Sequence, residues 1–342
     1  MEAVLSAARD FAVILADTSQ VASVRVAAQR MAQQLGFDET RVGRVAIAVT
    51  EVATNVLRHG GGGTMSARGV ARDGRVGIEL LAVDDGPGMA SFSASSVDGV
   101  STAGSAGTGL GAMQRLADEF DVYTRAAAGT LIRMVFWDAP APPVSAAHEV
   151  GAIRIPCTGE TLCGDDFEAL ADDGGLTLLV ADGLGHGPEA ARAAGAAVEA
   201  LRRDPGKAPV AVLDVAHGRL RSTRGAALAV MRHEASAAEI GFAGVGNISA
   251  CILDQGQKRM MVSHNGIVGH NVYRSEEYRY PWPQHGLLVA HSDGLESHWD
   301  LMPFPGIGLA HPSLIAAMLY REHWRKRDDV VVVVVRQRGV GR

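Results

Sequence analysis

The sequence predicts two tandem domains of mixed helix and strand, an α/β (α+β) chain, and three observations carry that expectation. Amphipathic helical stretches and short strands follow one another on both halves of the chain, a pattern that builds layered domains. The segment Asp138 to Glu149, DAPAPPVSAAHE, holds Pro140, Pro142 and Pro143, which resist helix and sheet, among Ser and Ala that bury little, so it reads as a semi-rigid linker. Acidic and glycine-rich motifs fall into two sets, one on each side of this segment, and make chemical sense only as two sites. A length of 342 residues suits two domains, placed at 1–137 and 150–342 with the linker at 138–149. The alternative, a surface loop within one domain, leaves the two motif sets unexplained.

Composition narrows the function classes. With 47% hydrophobic and 20% charged residues the chain can build proper cores, which argues against disorder. A net charge of -6 without a long Lys/Arg run leaves no electrostatic footprint for nucleic acid or an anionic membrane. Cys157, Cys163 and Cys251 are unevenly spaced, with no CxxC, and are expected as free thiols in a reducing compartment, the cytoplasm. The purest apolar run, Val330 to Val335, is far too short to span a bilayer.

In the first domain Phe11 to Leu15 reads as a strand and Ser19 to Leu35 as a helix. Asp38 to His59 is more informative. Val42, Val45, Val49, Val52 and Val56 recur at three- and four-residue steps and define a buried helical face, while Glu51, Asn55 and His59 form a separate stripe at i, i+4, i+8. On its own such a stripe is an ordinary solvated face. Gly60 to Gly63 ends the helix, and Arg75 to Val83 alternates as a half-buried strand, with Val76, Ile78, Leu80 and Ala82 on one side. Asp84 lies just beyond, in Asp84-Asp85-Gly86-Pro87-Gly88, where glycines allow close approach of a ligand and the acid can accept a hydrogen bond from an exocyclic amine. GSAGTGLGAM, Gly104 to Met113, then leads into a helix, and glycine-rich backbone at a helix amino terminus is a ready phosphate cradle. Strands Val122 to Arg125 and Thr130 to Trp137 complete the domain.

This order, ExxxN on a helix, DxGxG after a strand and GTGLG before a helix, resembles the ATP-binding domain of the GHKL superfamily. QQLGF, EVATNVLRHGGGG and GTGLGAMQRLADEF are similar to the RsbT-type serine/threonine switch kinases, which phosphorylate STAS-domain proteins in bacterial stress signalling. Over residues 8 to 137 the resemblance implies a mixed-sheet α/β sandwich binding ATP and Mg²⁺. Asn55 would be the magnesium ligand and Glu51 the base for the incoming hydroxyl. Asp84 would hold the adenine amine in a pocket shaped by Gly86 and Gly88 and assisted by Thr130. Gly107, Thr108, Gly109, Leu110 and Gly111 would contact the phosphates as a lid. His59 is read as helix-end packing.

After the linker, Ala152 to Pro156 reads as a strand, LCGDDF at Leu162 to Phe167 opens a second constellation, and the apolar run Leu176 to Val180 delivers Asp182 into a glycine-built loop, Gly183 to Gly187. A helix from Pro188 to Leu201 follows, with Pro in its first turn, then a second from Ala208 to Leu220. Ala226 to Leu253 reads as a hairpin run, and Tyr273 to His285 as an irregular loop or edge. Leu287 to Ala290 leads into Asp293, and Asp328 and Asp329 precede the valine strand. Single acids at strand ends mostly make turns. Several converging with few cations would repel one another, and hard divalent cations bound through oxygen relieve that repulsion.

GDDF, VADGLGHGPEA, GVGN, SDGL and DDVVVVVV, in that order over residues 150 to 336, resemble the SpoIIE and RsbX branch of the type 2C metal-dependent protein phosphatases, which implies an α-β-β-α sandwich. It implies that Asp182 bridges two Mn²⁺ or Mg²⁺ ions and activates hydrolysis, that the Gly183 carbonyl joins one of them, and that Asp165, Asp293 and Asp328 complete the set. Asp166 and Asp329 leave a one-residue ambiguity. His186 either touches substrate phosphate or packs in its loop. Arg154 is a weak candidate for a phosphate-binding arginine. The resulting expectation is a bifunctional cytoplasmic kinase and phosphatase acting on STAS-domain-like partners, with homo-oligomerisation left open. The alternative keeps the phosphatase and makes the first domain an ATP-dependent binding module of the anti-sigma kind.

Overall fold

The structure is a computed structural model describing residues 10–89, 109–142, 147–172, 175–235, 237–270 and 275–338. It divides into two compact units, Met1–Ser145 and Ala146–Arg342. No helix among the described residues is long and apolar enough to cross a membrane.

In the first unit, strand β1 (Phe11–Leu15) is followed by helices α1 (Ser19–Gln34) and α2 (Glu39–Gly60), strands β2 (Gly63–Arg72) and β3 (Arg75–Asp84), helix α3 (Gly109–Leu116) and strands β4 (Glu119–Thr124) and β5 (Thr130–Trp137). Asp38 caps α2 by accepting from the Arg41 amide at 2.8 Å, and Gly61, left-handed at φ 71°, ends it. All five valines of the predicted face are buried with Val24, Met31, Ile78, Leu80, Ile132 and Met134 in the core between helices and sheet.

The sheet order is β1-β2-β3-β5-β4, and every described pairing is antiparallel, so the mixed sheet expected from the resemblance is not what forms. Strand β3 is also not half-buried. Its other face carries Glu79, Leu81 and Val83, all nearly inaccessible, and strand β5 is buried throughout. On that second face the charges are paired across four strands: Arg68 Nε to Glu79 Oε2 at 2.7 Å, Arg133 Nε to Glu79 Oε1 at 2.6 Å, Arg133 Nη1 to Asp121 at 2.7 Å and Arg133 Nη2 to Glu119 at 3.1 Å.

The second unit is a four-layer sandwich. Strands β6 (His148–Ile155), β7 (Asp165–Asp172) and β8 (Gly175–Gly183) precede helices α4 (Pro188–Arg203) and α5 (Pro209–Leu220). Strands β9 (Ala226–Glu234), β10 (Glu239–Val245), β11 (Ser249–Asp254), β12 (Gln257–Met260), β13 (Tyr278–Pro281) and β14 (Leu287–His291) come next, then α6 (Pro312–His323) and β15 (Val330–Gln337). One antiparallel sheet runs β13-β10-β9-β8-β7 and the other β12-β11-β14-β15-β6. Leu178, Val180, Phe242, Ile252, Val331 and Val333 fill the space between them. Helices α4 and α5 cover the first sheet through Leu179, Ala194, Leu201, Leu213 and Val230, and α6 packs on β6 and β15.

Two expectations need correction here. The run Ala226 to Leu253 is not one hairpin: β9 and β10 pair in one sheet, whereas β11 joins the other, with Gly246 and Asn247 at the crossing. The linker is shorter than expected, because His148 and Glu149 already pair with Gln337 and Arg336 in β6, and the Asp138 amide donates to the Val76 carbonyl at 2.9 Å. Pro143 lies outside the described residues. Cys157 and Cys251 are buried, Cys163 half-buried, and all three are free thiols.

At the end of this sandwich away from Asp329, His148 Nε2 and His233 Nδ1 sit 2.8 Å apart, and both rings pack against the buried Trp282. Burial, then the neighbouring imidazole, pushes His148 down to about 4, and burial lowers His233. In the unfolded chain both would protonate near ~6.5. Their contribution to stability is therefore complete above that value and is lost as pH falls toward about 4. Between about pH 7 and about pH 5 wild type is expected to lose stability relative to His148→Phe by roughly 1–2 kcal/mol, discounted for partial exposure, the raised acids of the other end acting alike in both chains. Identical slopes in the two chains would refute the assignment.

Candidate functional site

In the first unit the stripe on α2 faces away from the valine core: Glu51 and His59 are exposed and Asn55 half-buried. Arg44 on the same helix donates to the Leu116 carbonyl at the end of α3 and lies 3.4 Å from Asp118, which fastens α2 to the helix that follows the glycine-rich motif. Asp84 is the last residue of β3, in register with Gly63 on one side and Thr130 on the other. Its Oδ1 accepts the Gly86 amide at 2.9 Å.

The glycines here are needed. A Cβ on Gly60 would stand 2.5 Å from the Asp84 Cβ, and one on Gly88, whose φ is 60°, would meet the Arg125 carbonyl oxygen at 1.9 Å. The Gly129 amide donates to the Gly86 carbonyl at 2.9 Å, and the Thr130 and Thr124 hydroxyls lie 3.2 Å apart. Asp84, Gly86, Gly88 and Thr130 are thus gathered at one end of the sheet, beside the end of α2. The glycine cradle and the acceptor carboxylate fit an adenine base carrying a donor amine. Gly107 and Thr108 lie outside the described residues. Gly109, Leu110 and Gly111, expected as lid loop, instead form the first turn of α3.

In the second unit the acids come from both sheets. Asp165 and Asp182 are directly opposite on β7 and β8, while Asp293 follows β14, and Asp328 and Asp329 precede β15. Asp165 and Asp329 are each 2% exposed, and the Oδ2 atom of each is buried without a hydrogen-bond partner among the described residues. At the first doublet Asp165 stands opposite Asp182, whereas Asp166 pairs with Arg154 at 2.7 Å. That ion pair also occupies the arginine considered for phosphate. At the second doublet both acids act on Asp182, and Asp329 is the deeper, its Oδ1 accepting the Cys157 amide at 2.9 Å.

Burial, then Asp293, Asp328 and Asp329, pushes Asp182 up to about 7, and burial, then Asp182, holds Asp165 well above the usual carboxylate range. Among the described residues no group of three or more His, Cys, Asp or Glu side chains is drawn together closely enough to hold a metal ion as it stands. Orphaned buried oxygens and raised acids nevertheless fit divalent cations that keep part of their water shell, as Mg²⁺ does. Asp165, Asp182, Asp293 and Asp328 would hold them, with the Gly183 carbonyl.

Asn247, the last residue of GVGN, has a role that the motif does not reveal. Its Nδ2 donates to Asp293 Oδ2 at 2.7 Å, and it also bonds Asp182, so it spaces two acids. Ser292 bonds Asp165 and accepts the Val331 amide at 3.1 Å. The signal for both was their place beside GVGN and SDGL. His186 is exposed, with Nδ1 2.7 Å from Glu160 Oε1.

Fold and acids together define a chain with an ATPase-type domain followed by a type 2C phosphatase domain. The family model "Histidine kinase-like ATPase domain" matches residues 14–136, and "Stage II sporulation protein E (SpoIIE)" matches residues 172–300. The serine/threonine-protein kinase RsbT of Bacillus subtilis (strain 168) is 33% identical over 117 residues, 34% of this chain and 88% of RsbT. The phosphoserine phosphatase RsbX of the same organism is 22% identical over 138 residues, 40% of this chain and 69% of RsbX. A solved chain described as "The bacterial stressosome: a modular system that has been adapted to control secondary messenger signaling" is 32% identical, with a TM-score of 0.52, covering 56% of this chain and all of that one. The chain belongs to the RsbT family through its histidine kinase-like ATPase domain, and its second domain carries the SpoIIE match.

Proposed function

We propose that this chain is a bifunctional partner-switching regulator, in which the first domain phosphorylates Ser or Thr of a STAS-domain-like protein with Mg-ATP and the second removes phosphate from the same partner. The observation that carries the reading is the convergence of acids from two sheets around buried carboxylate oxygens that have no hydrogen-bond partner among the described residues. The kinase half is supported by likeness to RsbT and by the exposed Glu51 one helical turn from Asn55.

In the first domain Asp84 would orient the base, Asn55 would hold the metal, and Glu51 would accept the proton of the incoming hydroxyl, while the amino-terminal amides of α3 would donate to the phosphates. In the second, divalent cations would supply a hydroxide nucleophile and neutralise phosphoryl charge. Asp165 and Asp182 hold their side chains toward that space, and Asn247 keeps Asp293 apart from Asp182. Both domains belong in the cytoplasm on this reading.

The test uses the intact chain, radiolabelled Mg-ATP and a purified STAS-domain protein. Label is expected on the partner and is expected to leave it when unlabelled ATP and Mn²⁺ are added. A partner that binds only with ATP yet is never labelled would favour the binding-module alternative. Label that persists through the chase would mean separate substrates for the two domains.

A further inference from the structure

The acidic site poses a charge problem that its acids do not solve. A phosphomonoester is itself anionic, so it needs fixed positive charge beside the cluster of Asp165, Asp182, Asp293, Asp328 and Asp329. Arg154 is committed to Asp166 at 2.7 Å, Arg192 to Glu189 at 2.7 Å, and Arg202 to Glu168 at 2.6 Å. His186 is engaged with Glu160.

Arg224 differs from these. It is exposed, and no carboxylate among the described residues makes an ion pair with it. Its Nη1 lies only 3.2 Å from the point where a Cβ on Gly185 would be, so the guanidinium lies over the Gly183 to Gly187 loop that carries on from Asp182.

The turn that presents it is built rigidly. The Leu184 amide donates to the Gly225 carbonyl at 3.1 Å, and Gly183 is in register with Ala226, so the arginine turn and the acidic loop are stitched together. The Gly225 amide donates to Thr223 Oγ1 at 3.0 Å, the Thr223 hydroxyl donates to the Leu220 carbonyl at 2.7 Å, and His270 Nε2 lies 2.9 Å from the Thr223 carbonyl oxygen. Gly225 adopts φ 80°, and a Cβ there would meet Ile267 at 2.6 Å. This backbone is fixed in a form that only glycine fits, and Arg224 precedes it.

We propose that Arg224 binds the phosphate group of the substrate, its planar guanidinium donating to phosphate oxygens over the Gly183 to Gly187 loop. The proposal rests on the phosphatase reading of the second domain. A guanidinium fork suits a phosphate better than an ammonium does, so Arg224→Lys should recover only part of what Arg224→Ala loses. Because the side chain is exposed, either replacement leaves the core untouched.

The experiment measures hydrolysis of p-nitrophenyl phosphate in Mn²⁺ by the full chain, with inorganic phosphate as competitor, and phosphate binding by calorimetry. In Arg224→Ala, KM, the inhibition constant of inorganic phosphate and its calorimetric Kd should each rise about tenfold to a hundredfold. The Mn²⁺ concentration for half-activation should stay unchanged, and Arg224→Lys should fall between. If wild type hydrolyses the ester only with metal and Arg224→Ala leaves KM and phosphate affinity as they were, the role of Arg224 is wrong and the phosphatase reading stands. If wild type shows no metal-dependent hydrolysis, the phosphatase reading itself fails, while calorimetry still reports whether Arg224 binds phosphate. A shifted Mn²⁺ requirement with unchanged phosphate affinity would overturn the proposal in favour of an effect on the acids.

Discussion

Replacing Asp182 by alanine is expected to reduce metal-dependent hydrolysis of a small phosphomonoester by about a thousandfold or more, while ATP binding by the first domain survives. Asp182 stands opposite Asp165 and receives the field of Asp293, Asp328 and Asp329, so its charge is coupled to every other member of the set. The same crowding means that its charge works against the fold when nothing neutralises it. In excess chelator at neutral pH, Asp182→Ala should therefore melt at a higher temperature than wild type. Inactivity combined with raised stability distinguishes a lost ligand from a damaged fold. Full activity of the variant, or of wild type in excess chelator, would remove the metal assignment.

The second large effect belongs to the other domain. Glu51→Ala should leave Mg-ATP affinity within about twofold of wild type yet lower transfer to a STAS-domain partner by about a hundredfold to ten-thousandfold, since a base acts when the hydroxyl attacks. Asn55→Ala should instead weaken Mg-ATP binding. On the proposed reading the two activities would oppose each other on one partner in the intact chain. Asp182→Ala should then drive that partner toward full phosphorylation, and Glu51→Ala should leave it bare even at high ATP. Partner phosphorylation measured side by side in the three chains decides the matter. Equal labelling in wild type and Glu51→Ala would take away the role given to Glu51.

The parts of the fold legible in the sequence were those whose burial is one-sided. The valines of α2 repeat at helical spacing because only one face is covered. Helix α6 was passed over because Pro312 to Tyr320 are all buried, so no stripe of polar residues marks it as helical. Strand β2, GTMSARGVAR, escaped because Gly, Ser, Ala and Arg carry little strand preference, and its place is set by pairing with β1 and β3.

The candidate sites were legible as motifs but not as geometry. The order of acids and glycines indicated which residues meet, whereas the choice between Asp165 and Asp166 depended on strand register and on the position of Arg154. Asn247 acts on Asp182 and Asp293 from a segment remote in sequence, and only the fold brings it near.

The charged row Arg68, Glu79, Arg133 and Asp121 alternates in sign from β2 through β3 and β5 to β4. Surface pairs of this kind add little, and buried ones repay their desolvation poorly. Their value lies in proofreading. Slipping any one of these strands by a single residue would turn its charge toward Val52, Ile78 and Met134 and leave a buried partner alone, a fault far costlier than a mispacked alanine. The row therefore acts as a combination lock on alignment. Asp84 and Thr130 lie further along the same two strands as Glu79 and Arg133, so the setting that pairs the charges is the one that places the candidate base-binding residues side by side.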